Sequence, residues 1–253
     1  AGSDTYRYSK GDGQDVIINN DNSVDRNDIL QISGLGFQDF TFSRTVNTLV
    51  VNAGATDSIS IQDFYANAAN QLDRIEYSNG AGVVDHVTGS IAFTSTDTAN
   101  LQNWSSWHQV RNAQLQIVQD DIVMDNGSKS NLEYDVSNTK AWQSYRTGLD
   151  SLLRTDWVQV LNDDGSFDQT DWDQANNQSW VVRNDHKDNA NRLDWIRIQN
   201  DNGSFDQTDF DQANSQTWKE QNRHLDSQNR LDYIQTINDD TTIDWQDEDQ
   251  DNS

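Results

Sequence analysis

The chain repeats itself every 38 residues, and a period of that length confines it to architectures in which one supersecondary unit stacks on the next. Asp156-Trp157-Val158-Gln159-Val160 returns as Asp194-Trp195-Ile196-Arg197-Ile198 and again as Asp232-Tyr233-Ile234-Gln235-Thr236. The run from Gly165 to Asn176 maps onto Gly203 to Asn214 at the same offset with near identity. Upstream the copies weaken but keep phase, with Gly-Ser pairs at 89/90, 127/128, 165/166 and 203/204. Asp97, Asp135, Asp173 and Asp211 follow in register, as do Asn100, Asn138, Asn176 and Asn214, and Trp104, Trp142, Trp180 and Trp218. The array therefore divides into 80–117, 118–155, 156–193 and 194–231, with a partial copy at 232–253 that breaks off mid-repeat.

Within a unit, Leu193 to Gln199 reads as a strand, Asn200-Asp-Asn-Gly203 as a turn and Ser204 to Phe210 as the returning strand. Asn and Asp ahead of Gly supply the residues a tight hairpin needs. Further turns fall near Gln212–Ser215 and Asp226–Asn229, with a strand from Gln216 to about Leu225 between them. Two, three or four strands per unit all fit this pattern. Residues 1–79 lack the comb and alternate at Thr48-Leu-Val-Val51 and Ser58-Ile-Ser-Ile61, which marks a separate β domain with a boundary near Gly80. The expected fold is all-β: a short parallel β-roll-like N-terminal domain, then an elongated antiparallel β-repeat array, a meander or solenoid.

Composition narrows the partners. The hydrophobic fraction is 33%, below the usual ~45–50% of globular domains, so any core is thin. Nine Trp argue against disorder and point to a narrow buried seam. A net charge of −25 repels nucleic acid and anionic membrane surfaces, and divalent cations are its natural counter-charge. Of the 42 acidic residues only Glu76, Glu133, Glu220 and Glu248 are Glu. Asp is what turns and oxygen-rich cation sites prefer, although solubility alone also selects it. With no Cys there are no disulfides, thiolate metal sites or Cys nucleophiles, and the absence of Pro is compatible with long, regularly paired strands. No apolar run approaches the ~18 residues of a membrane span, and Ala1 to Lys10 has no signal-peptide layout, so an export address would lie outside this segment or have been removed.

The chemistry-bearing motif lies at the start. Gly11-Asp12-Gly13-Gln14-Asp15-Val16-Ile17 fits the later part of the calcium-binding nonapeptide G-G-x-G-x-D-x-U-x, in which turn carbonyls and an Asp carboxylate face the ion. Asp4 and Asp15 end two adjacent turns, each followed by a strand, which suits a cation held between them. The candidate ligands are thus Asp4, Gly11, Asp12, Gly13 and Asp15, and an ordinary Gly-Asp turn without metal is the alternative. The segment from Asp4 to Ile18, with Asn27-Asp-Ile-Leu30, Leu49-Val-Val51, Ser58 to Asp63 and Arg74-Ile-Glu-Tyr77, resembles the haemolysin-type calcium-binding related domain of RTX proteins. It departs where that family carries Asp-Gly and this chain has Asn79-Gly80. The resemblance implies type I secretion into calcium-rich surroundings, with Ca2+ driving folding.

The repeats look like the Asp-rich tyrosine-aspartate repeats of large secreted bacterial proteins, including Rhs-like shells, on the strength of Asp-Asn-Gly or Asp-Asp-Gly turns and recurrent strand aromatics. That likeness implies scaffold or surface roles. Asp201, Asp206, Asp209 and Asp211 lack EF-hand order and read as turn and solvated carboxylates more readily than as a calcium cage. The in-register Trp142, Trp180 and Trp218 form either a sugar-binding ladder or, more in keeping with a chain poor in aliphatics, a buried seam. His186 and His224 are equivalent, but the preceding copy has Gly148, which speaks against a metal role. No carboxylate pair is singled out from the array and no G-x-S-x-G context occurs, so catalytic and cofactor-binding residues are expected to be none.

These readings converge on a non-enzymatic, calcium-binding structural or adhesive module of a secreted RTX-type protein at the cell surface, in a biofilm matrix or in a fibre. The alternatives are a polysaccharide-binding module or an accessory region of a larger secreted enzyme. Expected partners are calcium, possible further copies recruited through open repeat edges, and polysaccharide, without nucleic acid or membrane insertion.

Overall fold

Among the described residues, parallel pairing, which needs crossover connections, is confined to the first 80. A computed structural model describes residues 2–54 and 56–248, so the last five residues of the partial repeat lie outside the description. The described chain forms two compact units, Ala1–Asn126 and Gly127–Ser253.

In the first unit, β1 (Thr5–Ser9) crosses to β2 (Gln14–Ile17) in a second sheet, and β3 (Ile29–Ser33) returns to lie parallel to β1. β4 (Thr41–Thr45), β5 (Thr48–Asn52) and β6 (Ser58–Ile61) then join the second sheet, where β6 runs parallel to β2 with Gln14 opposite Ser58. β7 (Arg74–Tyr77) goes back beside β3. This is a short β-roll, and its coils bury the alternating residues: Leu49, Val51 and Ile61 are fully enclosed, with Ile59 and Ile75 at 1% exposure.

Beyond β7 the chain changes to antiparallel pairing through β8 (Gly80–Val84), β9 (Ile91–Thr96), β10 (Trp104–Arg111) and β11 (Ile117–Met124). Val84, Ile91, Phe93 and Leu115 from this stretch share one core with Phe37, Tyr77 and the roll. The packed unit thus continues past Gly80 to Asn126.

Among its described residues the second unit is a meander of ten strands. β12 (Lys129–Tyr134), β13 (Trp142–Leu149), β14 (Thr155–Asn162) and β15 (Phe167–Trp172) pair in turn. They are followed by β16 (Trp180–Lys187), β17 (Leu193–Asn200), β18 (Phe205–Phe210), β19 (Trp218–Leu225), β20 (Leu231–Asn238) and β21 (Ile243–Asp247). Each full repeat contributes three strands, and each of its three turns has one left-handed residue. One is Gly127, Gly165 or Gly203; the next is Asn138, Asn176 or Asn214; the third is Leu153, Asn191 or Asn229. Only residues that tolerate positive φ serve such positions without strain.

The expected buried seam does not form. Every described apolar side chain of the second unit is half-buried or exposed, and the unit is a single layer. The arithmetic of three explains it. With an odd number of strands per repeat, the corresponding strand in the next copy runs the opposite way, so β13, β16 and β19 start at alternating margins of the sheet. Trp142, Trp180 and Trp218 each sit at such a start, three strands or roughly 14 Å apart, and cannot stack on one another.

Equivalent residues also change face. Trp195 lies opposite Asp209, Asp209 opposite Gln221, and Gln221 opposite Thr236. Tyr233, the counterpart of Trp195, is three residues from Thr236 and therefore points to the other face. Cross-strand pairs hold this layer together: His186 stacks on Trp195 at 5.5 Å, His224 on Tyr233 at 5.3 Å, and Thr170 and Thr208 donate to Asn184 and Asn222 at 2.7 Å. Each such pair contributes on the order of 0.2–1 kcal/mol.

Candidate functional site

The Ser9–Gly13 turn carries the chain from one sheet of the roll to the other. It reverses in so few residues because Gly11 and Gly13 take φ of 98° and 90°. The Asp12 amide donates to the Ser9 carbonyl (3.1 Å), and Asp12 Oδ2 accepts from the Ser9 amide (2.7 Å). The Gly11 amide donates to Oδ2 of Asp57, which precedes β6 in the next coil (2.8 Å). The Gly13 carbonyl accepts from the Tyr8 hydroxyl (2.9 Å) and the Ser58 amide (3.0 Å). Burial raises the Tyr8 hydroxyl pKa above its usual value, and the negative charges of Asp57, Asp12 and Asp15 add to the shift. Three carboxylates are therefore concentrated at this corner.

Asp4 is elsewhere. It precedes β1 whereas Gly11–Gly13 follow it, so the five-residue strand, roughly 17 Å long, separates it from the other four candidates. A cation held jointly by Asp4 and Asp15 does not match this placement. Asp4 belongs instead to an aspartate ladder, with Asp4, Asp28 and Asp73 each standing immediately before a strand of the parallel sheet. The Asp4 amide donates to Asp28 Oδ1 (3.0 Å) and the Asp28 amide to Asp73 Oδ2 (2.6 Å). Asn19 donates to Asp28 Oδ2 (2.9 Å), so fully buried Asp28 has partners on both oxygens. This arrangement ties successive coils together.

Asp57, Asp28 and Asp73 were not legible as site or ladder residues. Their coils differ in length, so no fixed spacing links them. The one signal is positional: an Asp directly ahead of a short alternating β run.

Calcium takes six to eight oxygens at roughly 2.3–2.6 Å. At the corner, Asp12 and Asp57 each use one oxygen on a backbone N–H, and the residue opposite Asp15 in the next coil is Ile59 rather than a ligand. Among the described residues no three His, Asp or Glu side chains converge closely enough to hold a metal ion. Among the described residues the corner does not form a closed calcium cage.

The Asp residues of the repeats are held by their own turns. Asp150, Asp188 and Asp226 each accept two backbone N–H groups through Oδ1 and pair with Arg154, Arg192 and Arg230 through Oδ2. Asp135, Asp173 and Asp211 each accept the amide five residues ahead. Asp168 and Asp206 accept from His186 and His224 at 2.6 Å.

Comparison with known proteins bears on the roll. Residues 49–81 match the model of the haemolysin-type calcium binding protein related domain. The matched segment runs from β5 into β8, so it contains Asp57, the partner of the Gly11 amide, and Asp73 of the ladder. The chain is also similar to the iron-regulated protein FrpA of Neisseria meningitidis serogroup C, at 34% identity over 81 residues. That alignment covers 30% of this chain and 7% of FrpA. These similarities support calcium-binding, RTX-like character for the chain. No helix among the described residues is long and apolar enough to cross a membrane.

Proposed function

We propose that this chain is a calcium-stabilised, non-enzymatic structural module of a secreted RTX-type repeat protein, exposed at a cell surface or in an extracellular matrix or fibre. The observation that carries the reading is the match of residues 49–81 to a calcium-binding related domain. Gly11, Asp12, Gly13 and Asp15, joined by Asp57, form one side of the cation site, and a further turn or chain completes it. Asp4 serves the ladder. The repeats serve as scaffold, in keeping with the role of tyrosine-aspartate repeats, and self-association proceeds through strand edges of the array.

Thermal unfolding in calcium and in EDTA tests the calcium part. A ligand at about 100 times its Kd adds roughly 2.7 kcal/mol to the folded state, so Tm rises in calcium and the rise disappears in Asp15→Asn/Asp57→Asn. Equal melting in both media rejects it. Polysaccharide binding through repeat aromatics is the weaker reading, because Arg197 covers Trp195 at 4.5 Å and Arg146 lies over Trp157 at 5.6 Å.

A further inference from the structure

A second concavity on the first unit differs in chemistry from the rest of the molecule. It is a cleft of about 420 Å³, lined by Arg44, Asn67, Gln71, His86, Thr88 and Gln114, and the ring of Tyr65 forms part of its wall. That volume falls in the range of small-molecule sites, roughly 300–1,000 Å³. In a chain with 42 acidic residues, none lines this cleft.

Arg44 supplies the charge. Its Nε donates to the Val46 carbonyl and its Nη1 to the Ala113 carbonyl, both at 2.7 Å, and its guanidinium lies 4.2 Å from the centre of the Tyr65 ring. Among the described residues no carboxylate comes within ion-pairing distance of it. The cation is thus held in place by neutral groups and left without a counter-charge. Tyr65, its pKa pushed up to about 12 chiefly by burial, does not supply one.

Gln71 supplies an unused polar end. The residue is 4% exposed, and one end of its side-chain amide meets His86 Nδ1 at 2.8 Å. The other end has no partner among the described residues. His86 is fixed from behind by Asp73 at Nε2 (2.7 Å) and approached at Nδ1 by Arg26 (3.2 Å). Thr88 is already committed to Asp85 (2.7 Å). Whichever way the Gln71 amide is turned, a hydroxyl group satisfies its free end, because a hydroxyl both donates and accepts.

We propose that this cleft binds a uronic acid unit, its carboxylate on Arg44 and its hydroxyls on Gln71, Asn67 and Gln114. With the Nε hydrogen on Val46 and one Nη1 hydrogen on Ala113, the remaining Nη1 and Nη2 hydrogens are those a carboxylate can take, in charge-assisted bonds. The site is separate from the calcium corner and does not depend on it.

The test is a heteronuclear NMR titration of the full chain with glucuronate, glucose, acetate and inorganic phosphate in parallel. Glucuronate is expected to give saturable shifts at residues 44, 67, 71 and 114 with a Kd of roughly millimolar order. Glucose and acetate, each lacking one half of the recognition, should bind at least about tenfold more weakly. Arg44→Gln should remove the preference for glucuronate over glucose, with the remaining spectrum unchanged as the control for folding. No saturable shift, equal affinity for glucose, or phosphate binding as tight as glucuronate would each overturn the proposal. Should Arg44→Gln unfold the chain, the wild-type ranking of the four probes decides alone.

Discussion

Leu153 occupies the left-handed turn position that Asn191 and Asn229 fill in later repeats, with φ of 62° in all three. For a residue with a branched side chain this conformation costs about 1–2 kcal/mol, which Asn largely avoids. Leu153 is 55% exposed, so its side chain returns less than half of the roughly 2 kcal/mol that full burial of Leu provides, and that is an upper bound. Relief of strain therefore wins, and Leu153→Asn should stabilise the second unit by roughly 0.5–1 kcal/mol. Leu115 has the same backbone, φ of 63°, but is 8% exposed and belongs to the core of the first unit. Removing a buried Leu costs about 2–5 kcal/mol, more than the strain relieved, so Leu115→Asn should destabilise by about 2 kcal/mol. Urea unfolding followed by circular dichroism measures both, and a 1 kcal/mol change moves Tm by roughly 3–6 °C in a unit of this size. A destabilised Leu153→Asn, or a Leu115→Asn as stable as wild type, would refute the reasoning.

Gly148→Ala should destabilise by about 1–3 kcal/mol in the same assay, because a Cβ there would stand 2.1 Å from Trp157 Cε2 and force the indole aside. A red shift of Trp emission should accompany the loss. Asp28→Ala leaves the Asp4 amide without its acceptor and the Asn19 side-chain amide with the Gln71 carbonyl alone, at roughly 1–3 kcal/mol each, and a melting point within a degree or so of wild type would contradict the ladder. Turn backbone groups, then the Arg154 and Arg230 side chains, hold the carboxyls of Asp150 and Asp226 below their ordinary value of 3.8; the Arg192 side chain and then turn backbone do so for Asp188, and the Gln216 and Ser215 backbone for Asp211. Since the folded pKa is the lower one, the stability they add is present above the unfolded value and is lost as pH falls through it toward the folded value. Tm of the second unit should therefore drop between about pH 5 and pH 2, and Asp188→Ala should shallow that drop.

The repeat, its phase and its all-β character were legible because 38-residue self-similarity survives drift in individual residues. The strand from Leu193, the turn at Asn200–Gly203 and the alternation around Leu49 and Ile59 appear where pattern placed them. The number of strands was not legible, because only one of the three turns in a unit is marked by Gly. Asn176 and Asn191 turn the chain without it, and Leu153 does so against its own preference. The seam of Trp142, Trp180 and Trp218 was misread for the same reason, since equal spacing along the chain becomes alternate margins once the strand count is odd. At the roll, Gly11 to Asp15 was visible as a local motif. Asp57, Asp28 and Asp73 are joined to their partners by coils of unequal length, which leave no spacing to detect.

The three-strand unit constrains how such a ribbon can change by duplication. Copying one unit into the second half would turn each side chain downstream to the reverse surface and swap the two margins, while leaving the hydrogen-bond ladder intact. Copying a pair restores the original presentation. A surface patch assembled from several units could therefore persist through gains or losses of 76 residues and be scrambled by 38, so for anything that reads one side of the ribbon the heritable step is twice the repeat visible in the sequence.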